Sequence, residues 1–434
     1  MPDEALTSRG GVTGAAGHDQ HLMLLTNLTV GTSPLARWVL WHYRRRRARE
    51  KAIEFLYYRL LTPIKRLAHL AALGTTPDLR VKPPTDRSLS KEQFMAQYGA
   101  LVIGPGWVAG EHIRGLCLDP RTEIRAVAGM IPDDKPRAQQ YMRQYGFQAD
   151  YLDDFTGALT RDDIDLVHVC TINHLHYEQA LAALQAHKHV LVEKPLCLTL
   201  DQLRRLTDAQ SKTNALSHVG HVCRYYPAVV GLKNFLDAGH IGDVFYAESD
   251  YWHEIVGAWK VTPDTGGSAL LMGGCHSVDM VRWMVGEQHE VVEVAAFSRS
   301  AAWRSDFQYD PTIALIARFD NGAIGRVSTS LECNMPYVFH LQVNGTKGCL
   351  RNNGLYSAEL FPKSSNFTPV PATYPDDWNV SHHPFAEEVS YFVDCIESGT
   401  PSMLSIAAAA KTYELIFAAE LAAREHSVVK LPLA

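Results

Sequence analysis

The most restrictive feature of the chain is a glycine turn set between an apolar run and a helix-like pattern. Ala100-Leu-Val-Ile-Gly104 is a short, continuous apolar stretch ending in glycine. Such a run, without alternation, reads as a parallel strand buried on both faces. Gly104-Pro105-Gly106-Trp107-Val108-Ala109 then fits the pattern G-x-G-x-x-A, and a helix pattern follows over 107–118. In this context Gly104 permits the tight turn and Gly106 lets the backbone approach a pyrophosphate. Ala109 keeps the helix close to the sheet. Trp107 and Val108 lie at the helix N-terminus, whose amides face an anion. The implied ligand is a dinucleotide, NAD or NADP. A ribose-binding acid is expected at the end of the second strand, about 20 residues on. That place holds Ala128-Gly129-Met130-Ile131. Asp133 and Asp134 follow as solvated helix-start residues or as substitutes for it, so the two cofactors are not separated.

The alternation continues with strands expected at 124–129, 165–170 and 189–193 and helices at 135–145 and 174–187. Strand-helix alternation implies a parallel sheet with right-handed crossovers. After residue 222 the texture changes. Strand-like stretches at 243–252, 291–299, 312–319, 324–332 and 337–343 have few helices between them, and an Ala/Leu-rich helix at 405–425 closes the chain. The expected architecture is an α/β Rossmann domain over 98–222, then an α+β domain with a large, mostly antiparallel open sheet over 223–434.

Residues 1–97 differ from the rest. They carry 15 Lys and Arg against 8 Asp and Glu, whereas the remainder carries 26 against 39. An acidic main body argues against nucleic-acid binding there. Residues 1–35 read as disordered, 36–72 as a helix rich in arginine, and 74–94 as a linker. Met95 stands where a translation start would leave the two-domain body alone. The rival reading gives 36–72, with Trp38, Trp41 and Tyr43, contact with a membrane surface. Arg44 to Arg47 precede Ala48-Arg49-Glu50-Lys51 rather than an apolar stretch, so no export signal is read. No apolar run approaches the ~20 residues of a membrane span. The eight cysteines include no Cys-x-x-Cys pair. They read as small thiols in a reducing cytoplasm, and no metal site is expected.

Several segments together resemble the Gfo/Idh/MocA family of sugar and polyol oxidoreductases. They are the glycine turn, Thr171-Ile172-Asn173-His174-Leu175-His176 and Lys188-His189-Val190-Leu191-Val192-Glu193-Lys194-Pro195. Further along come Gly220-His221-Val222-Cys223-Arg224-Tyr225-Tyr226-Pro227 and Gly266-Gly267-Ser268-Ala269-Leu270-Leu271, the latter running on to His276-Ser277-Val278-Asp279. His383-Pro384-Phe385-Ala386-Glu387-Glu388 is the last. The resemblance implies that Lys194 and His276 sit beside the nicotinamide and the reacting carbinol. It implies cofactor contacts for Thr171, Asn173, His176, Glu193 and Lys194, and a homo-oligomer, dimer or tetramer, formed through the open sheet; Arg224 is read as a contact to the cofactor or to an acidic substrate group, or equally as a salt bridge at the domain junction.

The chemistry suits those residue types. Removing hydride from an alcohol also requires loss of the hydroxyl proton, so a base must reach that oxygen. His276 titrates near neutrality and Lys194 can stabilise developing alkoxide. Asp279, one turn on from His276, reads as a structural carboxylate or a substrate contact. The family pattern commonly has Asp four residues before the histidine, and here that residue is Met272. Met272 is then an apolar substrate contact, and Tyr225, His253 or Asp250 are candidates to replace the missing acid. Trp252 and Trp259 are candidates for stacking on a sugar face. The leading expectation is hydride transfer between a nicotinamide and a sugar, inositol or sugar-derived alcohol. The alternatives are redox-neutral glycoside cleavage through transient oxidation by bound NAD, and cofactor binding without catalysis.

Overall fold

The structure, a computed structural model, describes residues 97–369 and 383–434. The expectations for residues 1–94, including the 36–72 helix, and for Met95 lie outside the described residues. No described helix is long and apolar enough to cross a membrane.

Six strands build the first sheet: β1 (Tyr98–Ile103), β2 (Thr122–Ala128), β3 (Asp150–Leu152), β4 (Leu166–Val169), β5 (His189–Glu193) and β6 (Ser217–Gly220). Their order is β3-β2-β1-β4-β5-β6, and every pairing is parallel. Helices α1 (Trp107–Leu118), α2 (Asp134–Tyr145), α3 (His176–Gln185) and α4 (Leu200–Ser211) supply the crossovers. Ala100 to Ile103 are fully buried, which is why β1 shows no alternation. Strand order reverses between β1 and β4, so the loops after these two strands face each other at the carboxyl edge, where ligands of open α/β sheets bind. β3 and β6 are absent from the sequence reading; runs this short carry no usable period.

The second sheet has nine strands: β7 (Val244–Trp252), β8 (Val291–Arg299), β9 (Thr312–Phe319), β10 (Ile324–Ser330), β11 (Val338–Gly345), β12 (Gly348–Arg351), β13 (Gly354–Ser357), β14 (Thr368–Pro369) and β15 (Val429–Lys430). The order is β14-β13-β12-β11-β7-β10-β9-β8-β15. All pairings are antiparallel except the central β7–β10 pair. In β9, Ile313, Leu315, Ala317 and Phe319 point inward while Ala314, Ile316 and Arg318 point out, the period of a half-covered sheet.

Further helices are α5 (Pro227–Asp237), α6 (Cys275–Val285), α7 (Phe385–Ser398) and α8 (Ile406–Glu425). α6 is buried along its whole length, against β7 and β10 on one side and α8 on the other. α7 returns to the first sheet, where Val389, Phe392 and Val393 join the core of Ile113 and Leu116. A boundary at residue 222 therefore separates the sheets but not the packing.

A buried ion pair fastens the segment just past β6 onto α6. Arg224 donates from Nε and Nη2 to the two Asp279 oxygens at 2.7 and 2.8 Å, and from Nη1 to Glu287 at 2.8 Å. Its guanidinium also lies 4.9 Å from the Trp283 ring. Arg224 and Asp279 are thus engaged with each other, the salt-bridge reading of Arg224. Asp279→Ala leaves a buried guanidinium short of its main partner. It should destabilise the fold by about 3–5 kcal/mol, measured by urea unfolding.

Candidate active site

The glycine turn forms a cradle. Gly104 adopts φ +78°, and a Cβ there would lie 2.4 Å from Thr171 Cγ2, so the two switch-point loops touch only because residue 104 is glycine. Gly106 is different. Its φ of −75° suits any residue. A Cβ at Gly106 would meet nothing nearer than the Gly104 carbonyl oxygen at 4.0 Å. That open space lies at the N-terminus of α1, as an approaching pyrophosphate requires, so these residues fit NAD. Ala109 is buried and Trp107 is exposed. Asp134 does not stand free for a ribose, because its Oδ2 accepts from the Met130 and Ile131 amides at 2.7 and 3.1 Å.

Lys194 follows β5 directly. The turn is fixed from beneath by Glu193, which is buried. Glu193 Oε2 accepts from the Lys194 amide at 3.1 Å, and Oε1 meets His112 Nε2 at 2.9 Å. His112 Nδ1 in turn lies 3.0 Å from His168 Nδ1. Burial pushes the Glu193 carboxyl up, but His112 and Lys194 outweigh it and hold it below the ordinary range. His176 staples the same region: its ring nitrogens lie 2.7 Å from Pro195 O and 3.0 Å from Thr171 O. Glu193 and His176 are therefore occupied in shaping the turn. Thr171 donates its hydroxyl to Gln179 at 2.6 Å. Asn173 reaches across to the second part of the chain, donating to Gly266 O at 2.8 Å.

The partner of Lys194 is a main-chain atom. Leu270–Gly274 forms a turn of π-helix leading into α6. Lys194 Nζ donates to the Met272 carbonyl within it at 2.7 Å. Wide turns of this kind recur at functional sites. Met272 thus contributes its carbonyl, while its buried side chain packs toward Asn173, with 3.9 Å from Sδ to Nδ2.

His276 follows in the first turn of α6, and a set of rings surrounds it. Tyr251 stacks at 6.0 Å between centroids, His221 meets it edge-on at 5.7 Å and His383 lies at 6.3 Å. Among the described residues nothing bonds His276 Nδ1. Burial, then the charge of Lys194, holds His276 well below the ordinary histidine range, so it is neutral. His253 borders the cluster, its Nδ1 3.3 Å from the Tyr251 hydroxyl and its ring 5.2 Å from Tyr337.

Three sequence candidates lie elsewhere. Trp252 and Asp250 alternate with Tyr251 along β7 and so occupy the opposite face. There Trp252 Nε1 donates to Ser328 at 3.1 Å, and Asp250 pairs with Arg326 at 3.0 Å. Tyr225 is buried under α7, its ring 5.5 Å from that of Tyr391. Trp259 is half-buried beside Lys260, whose Nζ is 5.6 Å from its ring. Sequence reasoning missed Tyr251, Tyr337, His221, His112 and Lys260. For Tyr251 the strand period held the signal; the others are brought in only by tertiary packing.

Among the described residues no cluster suits a metal ion. Residues 98–221 match a family model described as an oxidoreductase family with an NAD-binding Rossmann fold. Residues 229–351 match the GFO/IDH/MocA C-terminal domain. Inositol 2-dehydrogenase 2 of Saccharopolyspora erythraea is 31% identical over 253 residues, 57% of this chain and 71% of that protein. Inositol 2-dehydrogenase of Salmonella typhimurium is 26% identical over 249 residues, again 57% of this chain and 71% of that protein. A solved levoglucosan dehydrogenase in complex with NADH and L-sorbose superposes with a TM-score of 0.70 at 23% identity, covering 78% of this chain and all of that one.

Two outcomes follow from this geometry. Gly106→Val suits the backbone but fills the cradle, so NADH affinity should fall at least about tenfold with unchanged circular dichroism, read by fluorescence titration. The second concerns acid. Burial depresses His168, His218, His221 and His276, with His218 near 3 and His221 near 4. When unfolded they titrate near 6.5. Below that pH the unfolded chain binds protons that the folded chain refuses, so their stabilisation is complete above it and lost as pH falls. Burial raises Glu388 and Glu420, which oppose this with fewer protons. The net slope is about 1.4 kcal/mol per pH unit per proton, so the urea midpoint should be lower at pH 5.5 than at pH 7.5.

Proposed function

Because this chain belongs to the Gfo/Idh/MocA oxidoreductase family, we propose that it oxidises a sugar, inositol or sugar-derived alcohol with NAD, at Lys194 and His276. The observation that carries this reading is the bond from Lys194 Nζ to Met272 O, which holds the lysine against the segment bearing His276. The relatives named as inositol dehydrogenases support the substrate class. Bound NAD supplies the hydride acceptor. The turn at Gly104 and Gly106, with the N-terminus of α1, would hold its pyrophosphate.

His276 is a neutral imidazole, so one ring nitrogen is free to accept the hydroxyl proton. Lys194 carries three donor hydrogens. One is given to the Met272 carbonyl, which leaves others to stabilise the developing alkoxide. Burial, and then the charge of Lys194, keeps His276 unprotonated. The packed rings of Tyr251 and His221 fix the His276 plane.

Incubation of the full chain with NAD and a panel of sugars, inositols and polyols should raise absorbance at the NADH band in step with product. Lys194→Ala should lower kcat by about a hundredfold or more, the scale of a lost charge stabiliser, while NADH affinity changes little. Product formed without net NADH would favour transient oxidation within a glycoside-cleaving cycle. Undiminished turnover in Lys194→Ala would overturn the assignment.

A further inference from the structure

The π-turn that carries Met272 is tied at both ends to one helix. α8 is rich in alanine, yet it carries polar side chains that reach the segments of the site. Thr412 Oγ1 accepts from Arg282 Nη1 at 2.9 Å and donates to Asp279 Oδ1 at 3.3 Å, which fastens α6 beyond the turn. The Tyr413 hydroxyl lies 3.3 Å from Nε2 of His221, the ring that meets His276 edge-on. About two helical turns further along α8, Glu420 Oε1 accepts the hydroxyl hydrogen of Ser268, just ahead of the π-turn.

Ser268 is where the π-turn begins. Its carbonyl accepts from the Met272 amide at 2.8 Å, and its hydroxyl oxygen accepts from the Leu271 amide at 3.1 Å. Gly267 before it adopts φ +91°, and a Cβ there would lie 3.0 Å from Leu198 Cδ2 and Leu271 Cδ1, so the entry to the turn is narrow. A chain of bonds therefore runs from α8 to the lysine ammonium. Glu420 holds Ser268, Ser268 holds the Met272 amide, and the Met272 carbonyl holds Lys194 Nζ. A π-turn bonds i to i+5 and so contains an extra residue. Relaxing it to an α-helical turn would rotate the residues after it by about 100° relative to those before. The Ser268–Glu420 and Arg282–Thr412 bonds could not both survive that slip. Glu420 is half-buried, and burial pushes its carboxyl up to about 7 although Ser268 and Arg424 lower it. A carboxyl in such a place is a cost to stability unless its hydrogen bond is kept, and hydride transfer itself makes no use of it.

We propose that Glu420 and Ser268 are positioning residues for Lys194, holding the π-turn in the register that presents the Met272 carbonyl to the lysine. This rests on the reading of Lys194 as the group that stabilises the alkoxide.

Ser268→Ala and Glu420→Ala should each lower kcat by about tenfold or more, the scale of a misplaced reacting group, with KM for NAD little changed. Glu420→Gln keeps an acceptor for the hydroxyl and should retain most of kcat. The Ser268→Ala, Glu420→Ala double variant should be no slower than either single one, since both cut the same chain. The placement of Lys194 is read separately from turnover, by reductive methylation of the full chain and mass spectrometry. Released from Met272, Lys194 should be methylated severalfold faster in both alanine variants, relative to the exposed Lys347. Losses of kcat that multiply in the double variant, or unchanged Lys194 methylation in Ser268→Ala, overturn the proposal and leave the dehydrogenase reading intact. A Glu420→Ala protein that melts lower but keeps its kcat per folded molecule does the same. Faster Lys194 methylation in the variants of a chain that turns over no sugar or polyol sustains the positioning role and overturns the redox reading. Absence of turnover together with unchanged methylation overturns both.

Discussion

The hydrogen bond from Lys194 Nζ to the Met272 carbonyl joins the carboxyl edge of the parallel sheet to the helix lying on the second sheet. Each end of that bond is separately fixed. Glu193 and His176 hold the backbone on the Lys194 side, and on the other side the π-turn opens into a helix buried along its whole length. A lysine on a flexible stem would lose considerable side-chain entropy on ordering. Here the surrounding framework is already rigid, so only the stem itself is ordered. Asn173 makes a second bridge of the same sense, to Gly266. The two halves are thus joined at the site itself by two hydrogen bonds.

The site is also surrounded by an unusual density of buried histidine. His168, His218, His221 and His276 are all nearly inaccessible. Burial favours neutral imidazole, which fills the interior without adding charge. That matters beside Lys194, because a further cation near it would compound the repulsion already present. Acid stability and the protonation state of His276 therefore have the same physical origin.

Much of the scaffold was legible in the sequence for specific reasons. The first strand, its glycine turn and α1 were readable because a doubly buried strand must be apolar throughout and the turn requires glycine at 104. The pairing of Lys194 with His276 came from resemblance; no spacing rule joins positions so far apart in the chain. Trp252 shows the cost of a one-residue error in a strand: the pleat sends Tyr251 to the core and its neighbour to the other face. Arg224, Glu193 and His176 lie in segments that the resemblance assigns to the cofactor, and no motif spells out the protein partners their polar atoms meet here. The Met272 carbonyl was invisible, since side-chain patterns say nothing about which main-chain acceptor a wide helical turn presents.

Methionine at 272 changes the site in a way that side-chain size does not capture. The Lys194 contact runs through the main-chain carbonyl, which any residue at 272 would present, so the thioether is free to pack toward Asn173 without adding charge. The charge beside Lys194 is that of Glu193, whose carboxyl is held below the ordinary range, against burial, by His112 and by Lys194 itself. Lys194 is therefore oriented by a dipole on one side and balanced by a carboxylate at its own base, so that its ammonium can be aimed by one group and compensated by another.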